Sequence, residues 1–229
     1  MHHLLLVAHR GDPAHAPENT VASFRSAIAR GAKAVEMDVR RTADRVWVVF
    51  HDSTLNRMTG RRGRVAQTRW VVLKELESAG EPIPSLEQAL DFCRRREAKV
   101  FLDVKVRRDE RSLFKAIRRS RWLSRATIGA GNVPTLRRWK RLLRERPLFW
   151  VTGYRAAVIS ARIRQTHRLG LTGLAVYRRW VTKGAVSQVH AAGLKLYAWT
   201  ARSQREIRRL ADCGVDGIMS EVWPPPRSI

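Results

Sequence analysis

The chain has 229 residues, 44% hydrophobic and 28% charged, proportions that suit a single barrel or doubly wound domain spanning residues 1–229 and exclude a disordered or fibrous polypeptide. Lys and Arg number 45 against 20 Asp and Glu, a formal charge of +25 that attracts phosphates, nucleic acid and anionic lipid surfaces without specifying any of them. No apolar run is long enough for a transmembrane helix, and Leu4 to Ala8 is too short for a signal-peptide core, so a cytoplasmic location is expected.

Only eight of the cations are Lys, and the Arg are spread through all but one of the predicted helices rather than gathered in a tail. A GC-rich genome accounts for such a bias as well as a polyanion-binding surface does, so peripheral contact with an anionic membrane is conceivable and specific nucleic-acid binding is not expected. Cys93 and Cys213 lie far apart beside amphipathic segments and read as free thiols, compatible with a reducing compartment.

Short apolar runs alternate with helical patterns along the whole chain. The predicted strands are Leu4 to Ala8, Ala34 to Val39, Lys99 to Val104, Ala126 to Ala130, Leu148 to Thr152, Gly173 to Tyr177, Lys195 to Trp199 and Asp216 to Met219. The predicted helices run over Thr20 to Arg30, Ser85 to Arg95, Glu110 to Ser120, Val133 to Arg144, Ala156 to Leu169, Val181 to Ala191 and Ser203 to Asp212. Ser85 with Gln88, and Ser203 with Glu206, have capping-box spacing, and Gly31, Gly170, Gly193 and Gly214 follow helices as C-terminal caps do. Eight strands with helical crossovers favour a (β/α)8 TIM-type barrel over an open sheet. Val46 to Phe50 reads as an additional strand, followed by a polar stretch, Asp52 to Thr68, inserted between the second and third barrel strands. Excess loop at such a junction belongs at the mouth of the barrel, where sites of this fold are built.

Charged residues gather at the strand ends. His9 and Arg10 follow the first strand; Glu36 and Asp38, two apart on the second, share a face. Two carboxylates side by side raise each other's pKa unless a cation neutralises them, and hard oxygen donors suit Mg2+ or Ca2+ better than Zn2+. Asp103 and Lys105 repeat the spacing on the third strand, adding a third acid and a cation, and Arg10 is placed as a phosphate clamp. His51 projects from the extra strand toward the same mouth as His9. Two imidazoles suit a reaction that deprotonates an attacking oxygen and protonates a departing one. Taken singly, each of these residues is as well explained by a solvated strand end; together they point to phosphodiester chemistry. His15, His167 and His190 read as surface or packing residues.

Val7-Ala8-His9-Arg10-Gly11, Pro17-Glu18-Asn19-Thr20, Glu36-Met37-Asp38-Val39, His51-Asp52 and Leu55-Asn56-Arg57-Met58-Thr59-Gly60 resemble, in order, the motifs of the glycerophosphodiester phosphodiesterase family. The likeness continues through Ile83-Pro84-Ser85-Leu86-Glu87 and Asp103-Val104-Lys105 to Ala198-Trp199-Thr200 and Gly214-Val215-Asp216-Gly217-Ile218, and is weakest from Arg107 to Leu194. The resemblance implies a TIM-type barrel, a divalent cation and cleavage of glycerophosphodiesters to glycerol 3-phosphate and an alcohol. It maps the acid–base pair onto His9 and His51, metal ligation onto Glu36, Asp38 and Asp103, phosphate contact onto Arg10 and Lys105, and a pocket wall onto Trp199. Asn19 is placed either to reach the site or to help cap the first helix, and capping is the expectation. Three departures stand out. Asp103 replaces the family's usual Glu, as in relatives with phospholipase D-type activity on lysophospholipids. Ser220-Glu221 replaces Thr-Asp, a change expected to act on the rim of the barrel. Gly129-Ala130-Gly131-Asn132 replaces a strand end with Ser-Phe, leaving a pocket wall open. Lysophospholipid cleavage at anionic membranes and a vestigial polyanion-binding barrel are the alternative readings.

Overall fold

The computed structural model describes residues 4–153 and 159–225. In chain order the elements are β1 (Leu5–Ala8), α1 (Val21–Ala29), β2 (Ala34–Arg41), β3 (Trp47–Val49), α2 (Asn56–Thr59), α3 (Trp70–Leu73), β4 (Glu77–Ser78), β5 (Glu81–Pro82), α4 (Leu86–Arg95) and β6 (Lys99–Val104), then α5 (Glu110–Arg119), β7 (Ala126–Ala130), α6 (Val133–Leu143), β8 (Leu148–Thr152), α7 (Ile159–Arg168), β9 (Gly173–Tyr177), α8 (Lys183–Ala191), β10 (Lys195–Ala201), α9 (Gln204–Asp212) and β11 (Gly217–Ser220).

Eight of these strands run parallel, each to its neighbour, and the ring closes because β1 pairs with β11 (Leu5↔Gly217 to Ala8↔Ser220) on one side and with β2 (Ala8↔Val35) on the other. This is the TIM-type barrel that the strand pattern predicts. β3 lies antiparallel on the outer half of β2, Val39 opposite Val49 and Arg41 opposite Trp47, so the chain doubles back beside the mouth before leaving it.

Alternation along the strands sorts side chains into two cores. Outward-facing Val35, Met37, Leu102, Ile128, Trp150, Leu174, Leu196 and Ile218 pack with Phe24, Leu90, Leu113, Trp139, Val189 and Leu210 of the helices. Inward-facing Val7, Ala34, Phe101, Phe149, Ala175, Tyr197 and Met219 fill the barrel. The Phe149 and Tyr197 rings lie 4.4 Å apart, with Phe101 5.9 Å and 6.1 Å from them, an aromatic plug beneath the mouth. The excursion after β2 has a third, separate core of Val48, Phe50, Leu55, Val65, Leu73 and Ile83. It continues past Thr68 through α3 and the β4–β5 hairpin to the start of α4.

Helix starts follow the side chains available to satisfy orphan amides. Ser85 and Gln88 complete the capping box of α4. Ser203 caps α9, but Glu206 turns away to Arg178. Thr182, not Val181, starts α8, and a short 3-10 turn over Arg178–Trp180 precedes it. The predicted start of the next helix upstream, Ala156, lies outside the described residues.

At the strand end Gly129-Ala130-Gly131-Asn132, where an open wall is expected, the space at Gly129 is filled: a Cβ there would lie 2.5 Å from Phe101 Cε1 and 2.8 Å from Val151 Cγ2, whereas one at Gly131 would meet only Val151 O, at 3.7 Å. The missing side chain gives the plug its room. Gly129→Ala is expected to destabilise the protein by about 1–3 kcal/mol through overpacking. In a Phe101→Leu background the same change should cost less. Urea denaturation of the two single variants and the double variant checks this; equal costs in both backgrounds would place the strain elsewhere.

Candidate active site

The chain turns sharply off β1. Arg10 and Gly11 both have positive φ, 57° and 92°, and a Cβ at Gly11 would lie 2.3 Å from Ser23 Oγ, so α1 can approach only a glycine here. The turn aims the Arg10 amide at β2, where it donates to Glu36 Oε2 at 3.0 Å. Its guanidinium donates to Glu18 Oε1 at 3.0 Å, and Nε sits 3.1 Å from Asp38 Oδ2, near enough for an ion pair though off the hydrogen-bond direction.

Register brings the acids together. Asp38 on β2 is directly beside Asp103 on β6, and Glu36 lies one inward position below. Donor oxygens of the three carboxylates fall within 4.8 Å of one another, and Glu36 and Asp38 are 2% and 1% exposed. Burial, then the neighbouring charge of Asp38, raises Glu36 well above the carboxylate range. Burial presses Asp38 the same way, but Lys105, Arg10, His51 and an Asn19 hydrogen bond outweigh it and hold Asp38 far below that range. Lys105 Nζ bridges Asp38 Oδ1 at 3.0 Å and Asp103 Oδ2 at 2.5 Å.

This donor set fits a divalent cation. Its three carboxylates supply hard oxygens on rigid strands, and Glu36 is a buried acid that forms no ion pair with a cationic side chain among the described residues. Two cations against three carboxylates leave one negative charge uncompensated; a divalent ion would turn that into one positive charge, which a phosphodiester monoanion neutralises.

Both histidines come to this mouth. His9 is 8% exposed, and burial lowers its pKa against the opposing pull of Glu221. His51 follows β3 with Nδ1 2.7 Å from Asp52 Oδ1, and Arg40 Nε donates to its backbone oxygen at 2.7 Å. His51 and His9 are each close enough to Asp38 for charge to couple them. Trp199 lies on the inner wall, donating from Nε1 to Ala175 O at 3.0 Å with its ring edge-on to Tyr177. Arg10, Glu36, Asp38, Asp103 and Lys105 thus form one connected cluster, with the histidines at the same mouth and Trp199 on the inner wall. A cavity of about 1000 Å³ between α4, α5 and α6, lined by Arg45, Arg111, Lys115 and Arg141 among others, contains none of them.

Two residues behave differently from expectation. Asn19 is not the cap of α1: Thr20 Oγ1 accepts from Ser23 N, while Asn19, at φ 62°, donates from Nδ2 to Asp38 Oδ2 at 2.8 Å and accepts from the Asp38 amide at 3.1 Å. Glu221 is not confined to the rim: its Oε1 lies 3.2 Å from His9 Nδ1. Sequence reasoning also missed a chain of ion pairs across the mouth. Asp52 binds Arg57 at 2.7 Å, Arg57 binds Glu18 at 2.7 Å, and Glu18 binds Arg10, linking the His51 loop to the β1 turn. The signal for it lay in the Pro-Glu-Asn-Thr and Leu-Asn-Arg motifs.

Fold and mouth define the class: a TIM-type barrel enzyme whose site combines clustered acids, two cations and two imidazoles. The chain belongs to the glycerophosphoryl diester phosphodiesterase family, which it matches over residues 9–222. It is 28% identical over 230 residues to a glycerophosphodiester phosphodiesterase of Caldanaerobacter subterraneus subsp. tengcongensis, covering 95% of this chain and 93% of the relative. Among solved structures, an Oleispira antarctica phosphodiesterase in complex with the product sn-glycerol-3-phosphate superposes with a TM-score of 0.84 at 26% identity, covering 95% and 92% of the two chains. A glycerophosphodiester phosphodiesterase of Thermotoga maritima shares the fold with a TM-score of 0.81 at 20% identity over 96% of each chain.

The Arg57 bridge carries a pH signature. Hydrogen bonding from Arg57 outweighs burial and pushes Asp52 down to about 2. A depressed carboxylate contributes stability above its unfolded value of about 3.9, and that contribution is lost as pH falls through the folded value. Arg57→Gln should therefore be less stable than the wild type by a constant margin above about pH 5, a margin that shrinks toward pH 2. Urea denaturation across that range checks it, and a margin independent of pH would exclude the ion pair as its source.

Proposed function

We propose that this enzyme hydrolyses glycerophosphodiesters to glycerol 3-phosphate and an alcohol, with His9 and His51 as its acid–base pair. One observation carries the reading: a single buried carboxylate, Asp38, is paired with Arg10 and Lys105 and lies within the electrostatic reach of both imidazoles, so the groups that bind a phosphate and those that move protons gather around it. The product held by the Oleispira antarctica neighbour supports glycerol 3-phosphate.

Arg10 and Lys105 bind the phosphate oxygens, releasing part of their hold on the acids as they do so. His9, kept neutral by burial, and His51, fixed by Asp52, work as a pair: one takes the proton of the attacking oxygen and the other gives a proton to the departing alkoxide. The same pair serves whether the attacking oxygen is water or the neighbouring glycerol hydroxyl. Glu36, Asp38 and Asp103 would hold Mg2+ or Ca2+, which supplies positive charge against the negative charge building on the phosphoryl oxygens. Trp199 forms part of the wall against which the substrate lies. Unpaired Cys93 and Cys213 support a reducing compartment, and the cytoplasm is the proposed location.

Cleavage of lysophospholipids at an anionic membrane is the second reading. It is favoured by Val71 and Val72 on α3, 52% and 42% exposed and side by side between Arg69 and Lys74.

Purified protein is expected to release glycerol 3-phosphate from soluble glycerophosphodiesters with Mg2+ or Ca2+ and to stop when a chelator is added. His9→Ala and His51→Ala should each lose about 10²- to 10⁴-fold in turnover with unchanged circular dichroism. No release from any soluble substrate would overturn the reading. Turnover confined to lysophospholipid in anionic vesicles would establish the second one in its place.

A further inference from the structure

Glu221 has no task in the reaction above, yet it is built into the mouth from both sides. Its backbone amide donates to Ala201 O at 3.0 Å, and the neighbouring Ser220 O accepts from the His9 amide at 2.9 Å, so carboxylate and imidazole hang from adjacent, paired strand ends. Its two oxygens have separate partners: Oε2 accepts from Arg202 Nε at 3.1 Å, and Oε1 faces His9 Nδ1 at 3.2 Å. The other groups that face His9 are Arg10, Asp38 and the Thr200 hydroxyl, which lies 3.5 Å from Nδ1 and 3.4 Å from Nε2.

An ionised carboxylate only accepts hydrogen bonds, so the ring atom facing it must carry the hydrogen. In neutral His9 that leaves Nε2 with the lone pair. We propose that Glu221 is the positioning residue of His9, fixing the Nδ1–H tautomer so that Nε2 is the atom that takes up and returns the proton, while Arg202 fixes Glu221. The role rests on His9 being a proton carrier, as proposed above. The chemistry requires the pairing rather than the chain length, so Asp is competent at this position where Ala is not. Gln is intermediate, because its amide oxygen can accept from Nδ1–H but its NH2 can also donate to a bare Nδ1 and hold the opposite tautomer.

Two measurements test this. The first, long-range 15N–1H NMR of the His9 ring, needs no turnover. The wild type and Glu221→Asp should show Nδ1 protonated and Nε2 bare, and Glu221→Ala a mixture of tautomers. The second is kinetic: Glu221→Ala should lower kcat at least about 10-fold with little change in KM, Glu221→Gln should fall between, and Glu221→Asp should recover most of the rate. Urea midpoints of all three variants separate these effects from unfolding, and Glu221→Gln, nearly the same shape as the native residue, serves if the Ala variant does not fold. An unchanged His9 tautomer in Glu221→Ala overturns the proposal, as does an unchanged kcat in an active Glu221→Ala protein or, should that variant not fold, in Glu221→Gln. A wild type without turnover but with the expected tautomer change would instead sink the acid–base reading and leave the pairing standing.

Discussion

Three carboxylates whose oxygens lie within 4.8 Å of one another cannot all be ionised in a buried site without compensation, and the mouth of this barrel is organised around that constraint. Lys105, just past the end of the strand that carries Asp103, spans two of the acids. Arg10 comes from the turn after β1 and shares only Asp38 with Lys105, using its amide for Glu36 and its guanidinium for Asp38. Asn19 occupies both the side chain and the amide of Asp38. What remains unbalanced is Glu36, the acid whose pKa burial and its neighbours raise most plainly, and the divalent ion proposed here resolves it.

The surrounding scaffold is arranged to hold those partners still. Gly11 allows α1 to press against the β1 turn, which sets the direction of Arg10. The excursion after β2 has a core of its own beyond Trp47 and Val49, which pack in the main core, and it is tied back to the mouth through Asp52, Arg57 and Glu18. The aromatic plug of Phe101, Phe149 and Tyr197 closes the barrel below, so that the acids sit on a dry floor. Low dielectric there strengthens each ion pair and makes each unpaired charge costly.

Much of this was legible in the sequence. Apolar runs of strand length mark all eight barrel strands because a buried parallel strand is apolar on both faces, and Glu36, Asp38, Asp103 and Lys105 could be set on one face by alternation alone. The elements that escaped were too short to have a period: α2 and α3 have four residues each, and β4 and β5 two each. Asn19 misled because a polar residue before a helix reads as a cap; here Thr20 takes the cap and the positive φ of Asn19 turns it toward Asp38. Glu221 and His9 are separated by 212 positions and meet only because the last strand closes on the first. Gly129 looked like an open wall because the ring that fills its space belongs to the neighbouring strand.

The central claim is that the trio of acids seats one divalent ion, and calorimetric titration of the metal-free protein with Mg2+ and with Ca2+ addresses it directly. One site per chain is expected for at least one of the two ions, with at least about 10-fold weaker binding in Glu36→Gln, which removes the acid whose burial and acidic neighbours outweigh the pull of Arg10 and Lys105. Binding of equal strength in Glu36→Gln, or none in the wild type, would contradict it.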